Sequence, residues 1–108
     1  MTWFVVLLLW ALAAPWATIT MNPRAVFVGG GTNVTCRVPR HPDNRIIHLG
    51  IADVRESAQQ LDGERARTVF ELQVLRLPCE ASEGYCAITR ADGSRQVYTQ
   101  SLQMVGCE

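Results

Sequence analysis

Apolar and polar residues alternate along most of the chain beyond its first seventeen residues. From Thr32 to Val38, Val34, Cys36 and Val38 fall on one side, with Asn33, Thr35 and Arg37 on the other. That period of two is the signature of a half-buried strand. Arg45 to Ile51 repeats it, setting Ile47, Leu49 and Ile51 against Ile46, His48 and Gly50. The strongest alternation runs from Thr68 to Leu77, where Phe70, Leu72 and Val74 oppose Val69, Glu71 and Gln73. Its phase slips near Leu75, and Arg76 and Pro78 end it. Gly84 to Arg90 and Ser94 to Val105 flank Ala91-Asp92-Gly93, a strong hairpin signal. Earlier, Thr18 to Arg24 reads as a polar lead-in and Ala25 to Val28 as the first strand, stopped by Gly29-Gly30-Gly31. Pro39 to Arg45 reads as a proline-fixed loop, and Asp53 to Asp62 as a polar stretch that is irregular or a short uncapped helix. No segment keeps a 3.6-residue apolar period. Six to seven short strands at intervals of about ten residues predict an all-β fold, an antiparallel β-sandwich.

The segment before these strands has a different character. Trp3 to Ala17 is an almost unbroken apolar run that contains all three tryptophans. As a helix it would rise about 22 Å, short of the roughly 30 Å hydrocarbon core of a bilayer. Small residues follow the leucines and offer cleavage after Ala13, in Ala11-Leu12-Ala13, or after Ala17. The reading adopted is a signal peptide over residues 1–17 and a sandwich domain over 18–108. Only the α-amino group supplies positive charge ahead of the apolar run. No cysteine closely follows either site, which argues against a lipid-modified N-terminus.

At 108 residues the chain has room for one domain. Ten acidic and ten basic side chains give no net charge, and every base is an arginine. That balance removes the electrostatic case for a nucleic-acid or anionic-membrane partner. The cysteines, Cys36, Cys79, Cys86 and Cys107, are even in number, the usual mark of a disulfide framework in a small exported chain. A metal site would need His41 or His48 among its ligands, but there is no CxxC pair and the histidines are not closely spaced. Neither metal nor cofactor is expected. Of the three pairings four cysteines allow, the strand faces and the hairpin register favour Cys36–Cys86 and Cys79–Cys107. Each bridge would contribute about 3–4 kcal/mol in the loop-entropy model.

Catalysis requires a base or nucleophile positioned by partners. His41 lies in a proline-rich loop and His48 within a strand, both read as structural or solvated. Asp53 with Glu56, and Asp62 with Glu64, lie in polar segments and are read as solvated or paired with Arg55 and Arg65. Bridged cysteines leave no thiol nucleophile. The glycine triplet precedes a strand rather than a helix, so it is a turn and not a phosphate cradle. Arg37, Arg40 and Arg45 cluster around one loop, diluted by Asp43 and two prolines. Asn33-Val34-Thr35 matches an N-glycosylation acceptor. The expectation is a protein that is not an enzyme.

Two stretches resemble the immunoglobulin-like fold. Thr35-Cys36-Arg37-Val38 is similar to its cysteine-bearing second strand. Leu72-Gln73-Val74, Leu77 and Glu83-Gly84-Tyr85-Cys86 are similar to the run into its tyrosine-and-cysteine strand. The chain departs from that pattern in having Tyr85 directly before Cys86 and no tryptophan after the first cysteine. The whole mature segment resembles small exported bacterial proteins with a single immunoglobulin-like, carboxypeptidase-regulatory-like sandwich. The residues carrying this are Arg37 to Arg45, Leu61-Asp62-Gly63, Arg76-Leu77-Pro78 and Val105-Gly106. The resemblance implies a periplasmic or surface module and carries over no functional residue.

The function expected is non-catalytic binding of another macromolecule, or service as an envelope component, in a secreted or periplasmic location. The polar stretch 53–62, an exposed sheet face or the edge strand Ala25–Val28 would supply the contact. The partner would be a protein or a glycan and not a nucleic acid, with membrane association only through an uncleaved leader. Two alternatives use the same scaffold. One is an extracellular ligand-binding domain of a eukaryotic or viral immunoglobulin-superfamily protein, glycosylated at Asn33. The other is a small secreted protease inhibitor presenting Arg40.

Overall fold

The computed structural model describes residues 14–107, so the part of the expected leader over residues 1–13 lies outside the described residues. Nine strand segments form two facing antiparallel sheets and a short parallel ribbon. The smaller sheet has the order β1-β3-β6, with β1 at Thr18–Asn22, β3 at Thr32–Arg37 and β6 at Val69–Val74. The larger has the order β5-β4-β7-β8, with β4 at Asn44–Ile51, β5 at Arg55–Gln60, β7 at Glu83–Arg90 and β8 at Arg95–Ser101. The ribbon pairs β2, Ala25–Phe27, with β9, Gln103–Val105. The fold is the all-β sandwich that the alternation predicts.

The core is made by the inward positions of the alternating strands. Ile19 and Met21 of β1, Val34 and Cys36 of β3, and Phe70 and Val74 of β6 face Ile47, Leu49 and Ile51 of β4 and Cys86 and Ile88 of β7. Each aliphatic chain taken fully out of water contributes about 1.5–3 kcal/mol. Leu49 stands directly beside Cys86 in the register. An aliphatic group thus fills the space beside the bridge, in a core where no described strand supplies a tryptophan. Met21 reaches the core because Gly84 has no side chain, since a Cβ there would stand 2.6 Å from the Met21 sulfur.

Three local readings of the sequence need correction. Thr18–Asn22 is a strand of the smaller sheet and not a polar lead-in. Its Thr-Ile-Thr-Met-Asn alternation pairs residue by residue with β3. Asp53–Asp62 contains the edge strand β5, whose side chains are almost all exposed and therefore show no alternation. It is held by backbone pairing with β4 through a turn in which Asp53 adopts a positive φ of 64°. Ala25–Phe27 is therefore the second strand and not the first, and it is an edge strand, paired with β9 on one side only. The phase slip after Val74 has a backbone cause. Arg76 takes a φ of 55°, leaving Leu75 63% exposed while Leu77 is buried and donates its N–H to the Gly30 carbonyl.

Two disulfides close the structure, Cys36–Cys86 between the sheets and Cys79–Cys107 between the β6–β7 connection and the chain beyond β9. Their separations of 50 and 28 residues correspond, in the chain-entropy model, to about 4 and about 3.5 kcal/mol of stabilisation. Cys36 and Cys86 are inaccessible to solvent, whereas Cys79 is exposed. Thiolate attack requires access to sulfur. Mild reductant under native conditions therefore opens Cys79–Cys107 first. Alkylation and intact mass should show a two-thiol species well before any four-thiol species. Direct appearance of four thiols would mean that burial does not protect the inter-sheet bridge.

Candidate functional site

The alternation that sends Ile47, Leu49 and Ile51 into the core sends Ile46, His48 and Gly50 to the outer face of the larger sheet. The register brings three rows together there. His48 lies between Ala58 of β5 and Ala87 of β7, with Val97 of β8 beyond Ala87. On one side the row is Gln60, Ile46, Thr89 and Arg95. On the other it is Glu56, Gly50, Tyr85 and Thr99. The middle of this face is small and largely apolar, and the carboxylate and guanidinium occupy opposite corners. Val97 is 53% exposed. Ala87 is fully buried, so Ala58 and Val97 supply the exposed apolar area of this row.

Two polar features mark the surface. The Tyr85 hydroxyl donates to Glu56 Oε1 at 2.8 Å, crossing the row position of Gly50. Any side chain at Gly50 would collide with β5, since a Cβ would stand 2.2 Å from the Arg55 carbonyl oxygen. Partial burial, together with this hydrogen bond and the negative charge of Glu56, pushes the Tyr85 phenol up to about 12. His48 Nδ1 is hidden from solvent and has no hydrogen-bond partner. Buried polar atoms are ordinarily paired, so this one is a cost the isolated domain carries.

The other residues singled out by the sequence are not assembled into a reactive centre. His41 Nδ1 accepts the Asp43 N–H at 3.1 Å and lies 4.0 Å from the Asp43 carboxylate at the surface. Arg40 donates to the Ala66 carbonyl at 3.4 Å, and Arg45 donates to the carbonyls of Pro42 and Asn44. Arg37 lies exposed on β3, so the three arginines do not converge on one anion. Pro42, Arg45, Asp62, Glu64 and Arg65 line an open depression of about 430 Å³. No Arg–carboxylate ion pair forms among the described residues, so Asp53, Asp62, Glu64, Arg55 and Arg65 are solvated. No three His, Cys, Asp or Glu side chains among the described residues gather where they could hold a metal ion. Asn33 is exposed on the outer face of the smaller sheet, opposite Asn22 and Gln73. At the β7–β8 turn, the Asp92 carboxylate accepts the Ser94 hydroxyl and N–H, which hold it below its ordinary range.

Sequence reasoning placed His48 and Gly50 on one strand face but missed Glu56, Ala58 and Val97 as their neighbours. The signal for the first two lay inside the polar stretch 53–62, where an edge strand leaves no periodicity. No family model matches the chain, and no curated protein matches it. Among solved structures, it is similar to a chain in one described as the structural basis of T cell specificity and activation by the bacterial superantigen toxic shock syndrome toxin-1. The TM-score is 0.54 at 11% identity, with 82% of this chain and 99% of that one covered. At this identity the likeness is one of fold alone.

The Tyr85 shift fixes the sign of an alkaline effect. With the phenol at about 12 when folded against an ordinary value of 10, the folded state holds the extra proton between these values. The associated stability is complete below pH 10 and is lost as pH rises toward 12. Chemical denaturation at pH 9.5 and 11.5 should show a smaller alkaline loss for Tyr85→Phe than for the parent. Equal losses would mean that Tyr85 is not the titrating group.

Proposed function

We propose that this chain is an exported, non-catalytic β-sandwich module that binds a protein partner through the outer face of β5-β4-β7-β8. The observation that carries the reading is the row Ala58–His48–Ala87–Val97, which holds no carboxylate or guanidinium, with Ala58 and Val97 exposed and the hidden His48 nitrogen unpaired. Small-molecule sites are concave, whereas apolar centres bordered by charge suit protein surfaces. A partner that covers this row removes apolar area from water and can offer a group to the imidazole.

The two disulfides support that location, since such bridges persist in oxidising compartments outside the cytoplasm. No helix long and apolar enough to cross a membrane is present among the described residues. The outer face of the smaller sheet has a different composition, with Thr18, Thr20 and Asn22 of β1 beside Asn33, Thr35 and Arg37 of β3. That surface is suited to hydration, and to a glycan at Asn33 if the chain passes through a glycosylating pathway.

The test is a binding screen of the disulfide-intact domain against arrayed extracellular proteins, followed by variants on each face. Val97→Arg and Ala58→Arg should each weaken a hit at least tenfold, about 1.4 kcal/mol, with the melting temperature retained. Thr20→Arg on the opposite sheet should leave it unchanged. Binding that resists the first two variants and fails with the third would place the contact on the other sheet and overturn the proposal.

A further inference from the structure

Residues Trp16 and Ala17, which the sequence assigns to the leader, are built into the folded domain. Ala17 is 2% exposed and belongs to the core, and Trp16 packs against that core from its edge. The Trp16 backbone N–H donates to the Tyr98 hydroxyl at 2.7 Å, and Tyr98 in turn donates to Gln96. The Arg90 guanidinium sits 3.7 Å from the centroid of the Trp16 ring, a cation–π contact. The same guanidinium donates to buried Asn44, whose amide donates to the Pro39 carbonyl. The segment before β1 therefore ties β7 and β8 to the β3–β4 loop. Ala14 and Pro15, immediately before it, are exposed.

We infer that the leader is removed by hydrolysis of the Ala13–Ala14 peptide bond and not after Ala17. Signal peptidases require small residues one and three positions before the cut. Ala11 and Ala13 meet that requirement, whereas a cut after Ala17 would place Pro15 at the third position. The run ahead of the upstream site, Trp3 to Trp10, also has the length of an export signal's apolar region. Hydrolysis consumes one water, leaves a carboxylate on Ala13 and frees an α-amino group on Ala14. The protease is a membrane-bound signal peptidase of the exporting host. The mature chain then keeps Trp16 as its one tryptophan, since Trp3 and Trp10 depart with the leader.

Full-length chain secreted by an exporting host is examined by intact mass and N-terminal sequencing. The expected N-terminus is Ala14, and tryptophan emission is present and shifts on unfolding. A product starting at Thr18, without tryptophan emission, overturns the inference, as does a product still carrying Met1. The variant Ala13→Leu should block release of the Ala14 product, and appearance of a Thr18 product in its place at the parental yield would also overturn it. A second comparison concerns the fold itself. Refolded chains beginning at Ala14 and at Thr18 should differ in melting temperature by about 5 °C or more, given about 4–8 °C per kcal/mol for a domain of this size. Equal melting temperatures would show that Trp16 and Ala17 do not support the domain, and would remove the structural argument for this site.

Discussion

The Cys36–Cys86 bridge is the constraint around which the two sheets are arranged. Its Cα atoms are 6.3 Å apart, closer than the roughly 10 Å at which interleaved side chains hold stacked sheets. The sheets must therefore converge at this point, and the residues beside it have to fit the narrowing. Ile19 and Phe70 flank Cys36 in its sheet, and Leu49 and Tyr98 flank Cys86 in the other. A domain of this length buries too little apolar surface to be stable by a wide margin. A covalent tie through the centre of the core offsets that deficit and fixes the relative position of two sheets that otherwise share only side-chain contacts.

Strands that present one face to the core were legible from the sequence, because burial on one side and solvent on the other imposes the period of two. β3, β4 and β6 are of this kind, and so is β7, whose hairpin with β8 was marked by Asp92-Gly93. β5 was not legible, since an edge strand with both faces largely in water has no apolar positions to alternate. β1 was lost for another reason. Its Ile19 and Met21 do alternate with threonine and asparagine, but the segment adjoins an apolar leader, and the boundary was drawn through Ala17, a residue the core uses. The parallel pairing of β2 with β9 joins residues nearly eighty positions apart and leaves no local trace.

The candidate face was half legible for a related reason. His48 and Gly50 could be assigned to the outer side of β4 from phase alone. Their neighbours are set by register between strands, and register depends on backbone pairing that composition does not encode. Tyr85 and Glu56 are 29 residues apart, and only the register of β5, β4 and β7 makes them one hydrogen-bonded pair across a glycine. The arginines around the β3–β4 loop show the converse. They are close in sequence, but Arg40 and Arg45 donate to backbone carbonyls, and Arg90, from a distant strand, braces the loop through Asn44.

These features give the two sheets different outer faces. The smaller sheet turns threonine, asparagine and arginine outward, with Val69 and Glu71 of β6 beside them. The larger turns alanine, valine and an incompletely paired histidine outward, the face proposed above to meet a partner. The stapling concentrates on the same side of the molecule. The buried bridge fixes β7, and the second bridge ties the approach to β7 to the end of the chain. Trp16 anchors Arg90 at the far end of β7, and Met21 donates its N–H to Gln100 of β8 at 2.8 Å. β7, inside that sheet, is thus tied at both ends, and β8 near one. A face held in this way loses little conformational freedom when a partner of the proposed kind covers it, which lowers the cost of binding.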